Sequence, residues 1–164
     1  MKIIITESQY KRILKEEEEQ KVLRIPSFKF FNNDWDLLQK FLERNGNPPY
    51  SLGGNLDLRG TQIESLGNLQ SVGGNLYLGG TSIKSLGNLQ SVGGDLDLYD
   101  TPIESLGNLK SVGGILGLFG TSIKSFGNLQ SIGASLNLHN TQLSKKYTRE
   151  EIRQMVDVGN LIFM

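Results

Sequence analysis

The chain has 164 residues, 17 acidic side chains against 17 Lys plus Arg, 20 Gly, a single His and no Cys. That length can enclose one sizeable core, and the balanced charge argues against a general nucleic-acid binder, which carries a basic excess. The absence of Cys excludes a disulfide scaffold and thiolate chemistry, and His139, standing alone, excludes a His-based metal cluster. No apolar run approaches the ~20 residues of a membrane span. The opening Met1-Lys2-Ile3-Ile4-Ile5-Thr6 is too short an apolar stretch for a secretory signal, so a cytoplasmic location is expected.

Residues 1–24 read as a helical leader or tag. Thr6-x-x-Gln9 opens a helix with a thin apolar stripe of Tyr10, Ile13 and Leu14, and the charged run Glu16 to Glu19 follows. One reading is a solvated helix leading into the domain; the other is a detachable tag. The stretch KIIITESQYKRILKE resembles leader segments of phage proteins directed into capsids, and Leu14-Lys15-Glu16 resembles a phage maturation-protease site. The resemblance implies a virion or capsid-cargo component in the host cytoplasm or the virion, sorted by this segment.

Residues 25–50 read as an N-terminal cap of strand plus helix. Ser27-Phe28-Lys29-Phe30 alternates as a leading strand does. Asn33 is placed to cap a helix through Glu43 or Arg44, with Asp34 and Asp36 in its first turn. Trp35, Leu38, Phe41 and Leu42 give it an apolar face, which reads as a cap rather than an aromatic ligand pocket. Gly46 stops the helix and Pro48-Pro49 prevents its continuation.

Residues 51–143 hold five copies of a 20-residue unit, beginning at Ser51, Ser71, Ser91, Ser111 and Ser131. Of the 20 glycines, 18 lie between Gly53 and Gly133, so Gly marks corners of a repeat rather than a flexible chain. Position six is Leu in every copy, as is position eight; position eleven is Thr; position thirteen is Ile63, Ile83, Ile103, Ile123 and Leu143. Leu-x-Leu is a period-two signal that turns both leucines inward on a short strand. One unit cannot form a core alone, but stacked units share one, with equivalent residues ~4.8 Å apart. The Gly pair before each strand (Gly73-Gly74) predicts a sharp turn with positive φ, and Gly87-Asn88 a second corner.

The pattern Leu76-x-Leu78, Thr81, Ile83, present in every copy, resembles the leucine-rich repeat family. Two features depart from that family: Thr replaces the Asn or Cys of the ladder, and Val72 sits four rather than three positions before Leu76. The stretch LGNLxSVGGxL is also similar to receptor L domains, and the pattern fits both variants. The resemblance implies a β-rich repeat solenoid, a right-handed stack of parallel strands with helical caps at both ends. It also implies a non-catalytic protein-binding module that works through its strand face.

Residues 144–164 read as the C-terminal cap. Thr148-x-x-Glu151 is a capping box, and Ile152, Met155 and Val156 form the buried stripe of the helix it opens. Gly159-Asn160-Leu161-Ile162-Phe163 repeats the form of Gly74-Asn75-Leu76-Tyr77-Leu78, as a sixth rung would.

No motif for catalysis, cofactor or metal emerges. The Gly pairs recur as turn residues rather than as a phosphate cradle, and a triad would need an activated Ser beside His139. Asp95 and Asp97 share a strand face and could bind a hard cation, although exposed strand acids explain them more simply. What varies between copies is free to serve a partner. The outward positions five, seven and nine give Arg59, Tyr77, Asp95, Asp97, Tyr99, Ile115, Phe119 and His139 as candidate partner-binding residues. Stacking should align Tyr99, Phe119 and His139 in a column beside an acidic area of Asp57, Asp95 and Asp97, which suits a protein partner. The same rings could instead simply brace neighbouring rungs. Position fourteen alternates Glu64, Lys84, Glu104, Lys124, which suits rung register. The Thr column invites an ice-binding reading, set aside because the repeat pattern turns that position inward.

Overall fold

The computed structural model describes residues 7, 8 and 22–162. Of the expected helical leader, residues 1–24, only 7, 8 and 22–24 are described, and Leu23 and Arg24 belong to a strand rather than a helix; the tripeptide Leu14-Lys15-Glu16 lies outside the described residues, as does Phe163. In chain order the elements are β1 (Leu23–Ile25), a 3₁₀ turn (Phe28–Phe31), α1 (Trp35–Arg44), β2 (Tyr50–Leu52), β3 (Leu56–Asp57) and β4 (Leu69–Val72). They continue with β5 (Leu76–Tyr77), β6 (Ser91–Val92), β7 (Leu96–Asp97), β8 (Ser111–Val112), β9 (Leu116–Gly117) and β10 (Ser131–Asn137). The chain closes with α2 (Gln142–Lys146), α3 (Arg149–Met155) and β11 (Asp157–Ile162).

The molecule is a repeat solenoid of parallel strands. Each rung carries two short strands rather than the single one that Leu-x-Leu announces. The Ser-Val strands form a first ladder, β1-β2-β4-β6-β8-β10, and the Leu-x-Leu strands a second, β3-β5-β7-β9-β10. The ladders join because β10 runs unbroken through both, and β11 pairs along it (Ser131↔Asp157, Leu136↔Leu161) as the expected extra rung. Register advances by one repeat per rung: Val72, Val92, Val112 and Ile132 align, as do Leu76, Leu96, Leu116 and Leu136.

Inside, the apolar positions stack as columns. Positions two, six, eight, sixteen and nineteen are buried in successive rungs, and position thirteen is buried from Ile83 onward. The Thr column also points in. Thr81, Thr101, Thr121 and Thr141 are buried, each hydroxyl donating to the carbonyl three residues earlier at 2.8 Å (Leu78, Leu98, Leu118, Leu138). A hydroxyl so enclosed needs that partner, and it is not available to ice.

The Gly pairs work differently from the expectation. Their φ values are not positive; the left-handed residues are at position ten (Gly60, Gly80, Asp100, Gly120, Asn140) and position seventeen (Gly67, Gly87, Gly107, Gly127). What the pair provides is close approach. A Cβ on Gly73 would lie 2.5 Å from the Gly53 carbonyl oxygen, and Gly93, Gly113 and Gly133 meet the rung below in the same way.

The ends differ from expectation in detail. Phe28–Phe31 is a 3₁₀ turn capped by Ser27, not a strand, and the leading strand is β1 just before it. Phe28 and Phe31, three apart, pack inward or half inward while Phe30 is 72% exposed. The cap of α1 is Asp34, whose carboxylate accepts from Leu37 N at 3.0 Å; Asn33 is left-handed and precedes it. Leu38 and Leu42 are the buried face of α1, with Trp35 half-buried and Phe41 exposed. At the other end the Thr148–Glu151 capping box forms, and its hydrogen bonds hold the Glu151 carboxyl below its ordinary pKa. Ile152 and Val156 are buried, but Met155 is exposed, because the helix ends there and the chain turns out to β11. Thr141 caps the short helix α2, which replaces the convex segment of the earlier rungs. Among the described residues no helix is long and apolar enough to cross a membrane.

Candidate functional site

The outer face of the second ladder carries every candidate residue, and the structure divides it into two clusters. The first lies on the first two rungs and satisfies itself. Arg59 grips Asp57 with two hydrogen bonds, Nε to Oδ1 at 2.9 Å and Nη2 to Oδ2 at 2.6 Å. Through that bond the guanidinium draws the Asp57 carboxyl below the ordinary range, and Asp57 in turn raises Arg59. The guanidinium also lies over the Tyr77 ring, 4.8 Å from its centroid, while Asn75 Nδ2 donates to the Tyr77 hydroxyl at 2.6 Å. Arg59 and Tyr77 therefore have their main polar and ring partners within the protein.

The second cluster spans rungs three to five. Tyr99 and Phe119 stack at 5.5 Å between centroids with planes 18° apart, and Phe119 and His139 at 5.1 Å and 3°. The expected column is therefore present, because position nine recurs once per rung in an unshifted register. Gly79, beneath it, supplies no ring, so the column starts at Tyr99, which remains 47% exposed. Hydrogen-bonding and charge interaction with the Asp100 carboxylate push its phenol pKa up. On the same face, four residues before Phe119, Ile115 is 45% exposed. His139 is half-buried, and its Nδ1 is enclosed without a hydrogen-bond partner.

Asp95 and Asp97 are not simply exposed strand acids. Position five is a ladder in which a side-chain oxygen accepts from the amide of the next rung: Asn55 Oδ1 from Asn75 N (2.9 Å), Asn75 Oδ1 from Asp95 N (2.9 Å), Asp95 Oδ1 from Ile115 N (2.7 Å). At position seven the oxygen turns back to the amide two residues on, from Tyr99 N to Asp97 (3.0 Å) and from His139 N to Asn137 (3.0 Å). Sequence reading missed both roles, since the first depends on a neighbour 20 residues away. Among the described residues no three acidic or His side chains gather as a metal-binding set.

A further surface feature was not singled out from sequence. Outside the first ladder a shallow groove of about 610 Å³ runs along Ser71, Ser91, Ser111 and Ser131 over a floor of glycines. The regular Ser at position one was its only signal. The chain matches no family model, no curated protein and no solved structure.

Proposed function

We propose that this protein is a non-catalytic interaction module, a capped solenoid that binds a protein partner through the outer face of its second strand ladder. One observation carries the reading: Ile115 and Tyr99 are large apolar or aromatic side chains left about half exposed on the same sheet face, with Phe119 and His139 continuing the column from Tyr99. Aromatic side chains on a preformed surface are the usual anchors of protein interfaces. The resemblance to leucine-rich repeats points to the same face.

Rung bracing is the competing explanation, and the two separate on measurement. Each stacked ring pair is worth ~0.5–1.5 kcal/mol, so Tyr99→Ala with Phe119→Ala should lower stability only modestly. The same variant should lose the partners captured by the tagged wild-type protein from its native cell, as read by mass spectrometry. Unchanged partners at unchanged yield would show that the rings only brace the rungs.

A further inference from the structure

The face around Ile115 and Phe119 has a gap and an excess of negative charge. Ile115 and Phe119 lie at positions five and nine of one rung, roughly 13 Å apart along an extended backbone. Between them position seven is Gly117, where a Cβ would meet little beyond Asp97 Oδ1 at 3.4 Å. The exposed Ile115 and the half-buried Phe119 thus flank a stretch of bare backbone, with the Asp97 carboxylate on one side.

The fold does not require the negative charge there. Asn55 and Asn75 make the same rung-to-rung bond as Asp95, and Asn137 makes the same turn-back bond as Asp97. The repeats are their own control: a neutral amide does each job elsewhere in the chain. Yet the third rung places two carboxylates two residues apart, with Asp100 beyond them, and like charges at that spacing repel. Arg59 pairs with Asp57, and Lys124 with Glu104. Arg59 on this face is bonded to Asp57 and acts on Asp97 only at longer range, so Asp57, Asp95 and Asp97 together outnumber it.

We infer that the occupant of this face is a peptide segment of the partner in which an Arg or Lys adjoins an aliphatic residue. The aliphatic side chain lies against Ile115 and Phe119 over Gly117, and the cation meets Asp95 and Asp97. A basic side chain suits both features, since its alkyl stem covers apolar surface while its head reaches the carboxylates. This inference rests on the strand-face reading above and names the chemistry of its partner.

The test uses the full chain and a displayed library of random 12-residue peptides as the probe. Selection on the wild-type protein should enrich sequences with Arg or Lys beside an aliphatic residue. Those peptides should bind the Asp95→Asn/Asp97→Asn variant at least tenfold more weakly, and the wild type more weakly as salt rises. Because Asn keeps both acceptors, the variant should melt with the wild type; the single Asp97→Asn variant substitutes if the double one does not. Enrichment of peptides without a basic residue, no enrichment at all, or equal binding to the Asn variants overturns the inference. If such peptides still need Tyr99 and Phe119, the strand-face reading survives its loss. If binding ignores Tyr99→Ala/Phe119→Ala, the strand-face reading itself falls.

Discussion

Tyr50 shows how much one side chain can tie together at the start of the stack. Its ring is fully buried in β2, and its hydroxyl donates to the Leu66 carbonyl at 3.0 Å, joining the strand to the far side of the same rung. Burial pushes the phenol pKa well above its ordinary value, and the nearby Gln39 side chain only partly offsets this. The sign of the linkage follows. The folded protein keeps the proton while the unfolded chain releases it above about pH 10. The contribution is therefore whole below that pH and declines as pH rises toward the folded value. Tyr50→Phe removes the hydroxyl and should cost about 1 kcal/mol at neutral pH. Urea unfolding at pH 9 and pH 11 should show the wild-type midpoint falling more than that of the variant, and equal falls would contradict this assignment.

The two glycines of each corner answer to different neighbours, and the difference is measurable. A Cβ on Gly113 would strike the Gly93 carbonyl oxygen, which is backbone fixed in the ladder. On Gly114 the nearest atom is the end of a side chain, Asp95 Oδ1. Gly113→Ala should therefore cost about 2–4 kcal/mol. Gly114→Ala should cost less, and Asp95→Ala should relieve part of that cost in a double-mutant cycle of denaturant unfolding. Additive effects would show that Asp95 is not the obstacle. The chain contains its own version of the double change, since Ile115 lacks the acceptor and Ala134 follows where other rungs have Gly. Much of this element was readable beforehand. The Leu, Ile and Thr columns, the aromatic column, the capping box and the last rung all follow from local periodicity. The Ser-Val strand did not, because two residues are too few to show an alternation. Phe28 to Phe31 was ambiguous because phenylalanines occur at both the i+2 and i+3 spacings, and Asn33 and Asp34 are both competent caps. The acceptor role of Asp95 was hidden because it depends on an amide 20 residues away, whereas that of Asp97 is a local bond to Tyr99 N that no periodicity announces.

The whole molecule is a nearest-neighbour object. Its 90 residues from 51 to 140 carry only ten charged side chains, and the ends carry the other 24. Of the three adjacent pairs in the position-fourteen column, Lys124–Glu104 closes at 2.8 Å, and such an exposed pair adds ~0–1 kcal/mol. Cohesion therefore comes from the buried columns, and stability should grow with rung number. Inserting a second copy of residues 71–90 after Gln90 should give a folded protein with a higher melting temperature by circular dichroism. A lower one would mean that the caps, not the rung interfaces, limit stability.

The position-five ladder also has a direction, since each side chain reaches only to the rung after it. For a chain grown by copying rungs, this orders the history of change. While an Asn or Asp stands at position five, its successor must keep a glycine at position four. Once that side chain is lost, as at Ile115, the successor is released. The methyl of Ala134 stands where the preceding rung offers only Ile115, so the one-way reach of a carboxamide sets the order in which two such changes are tolerated.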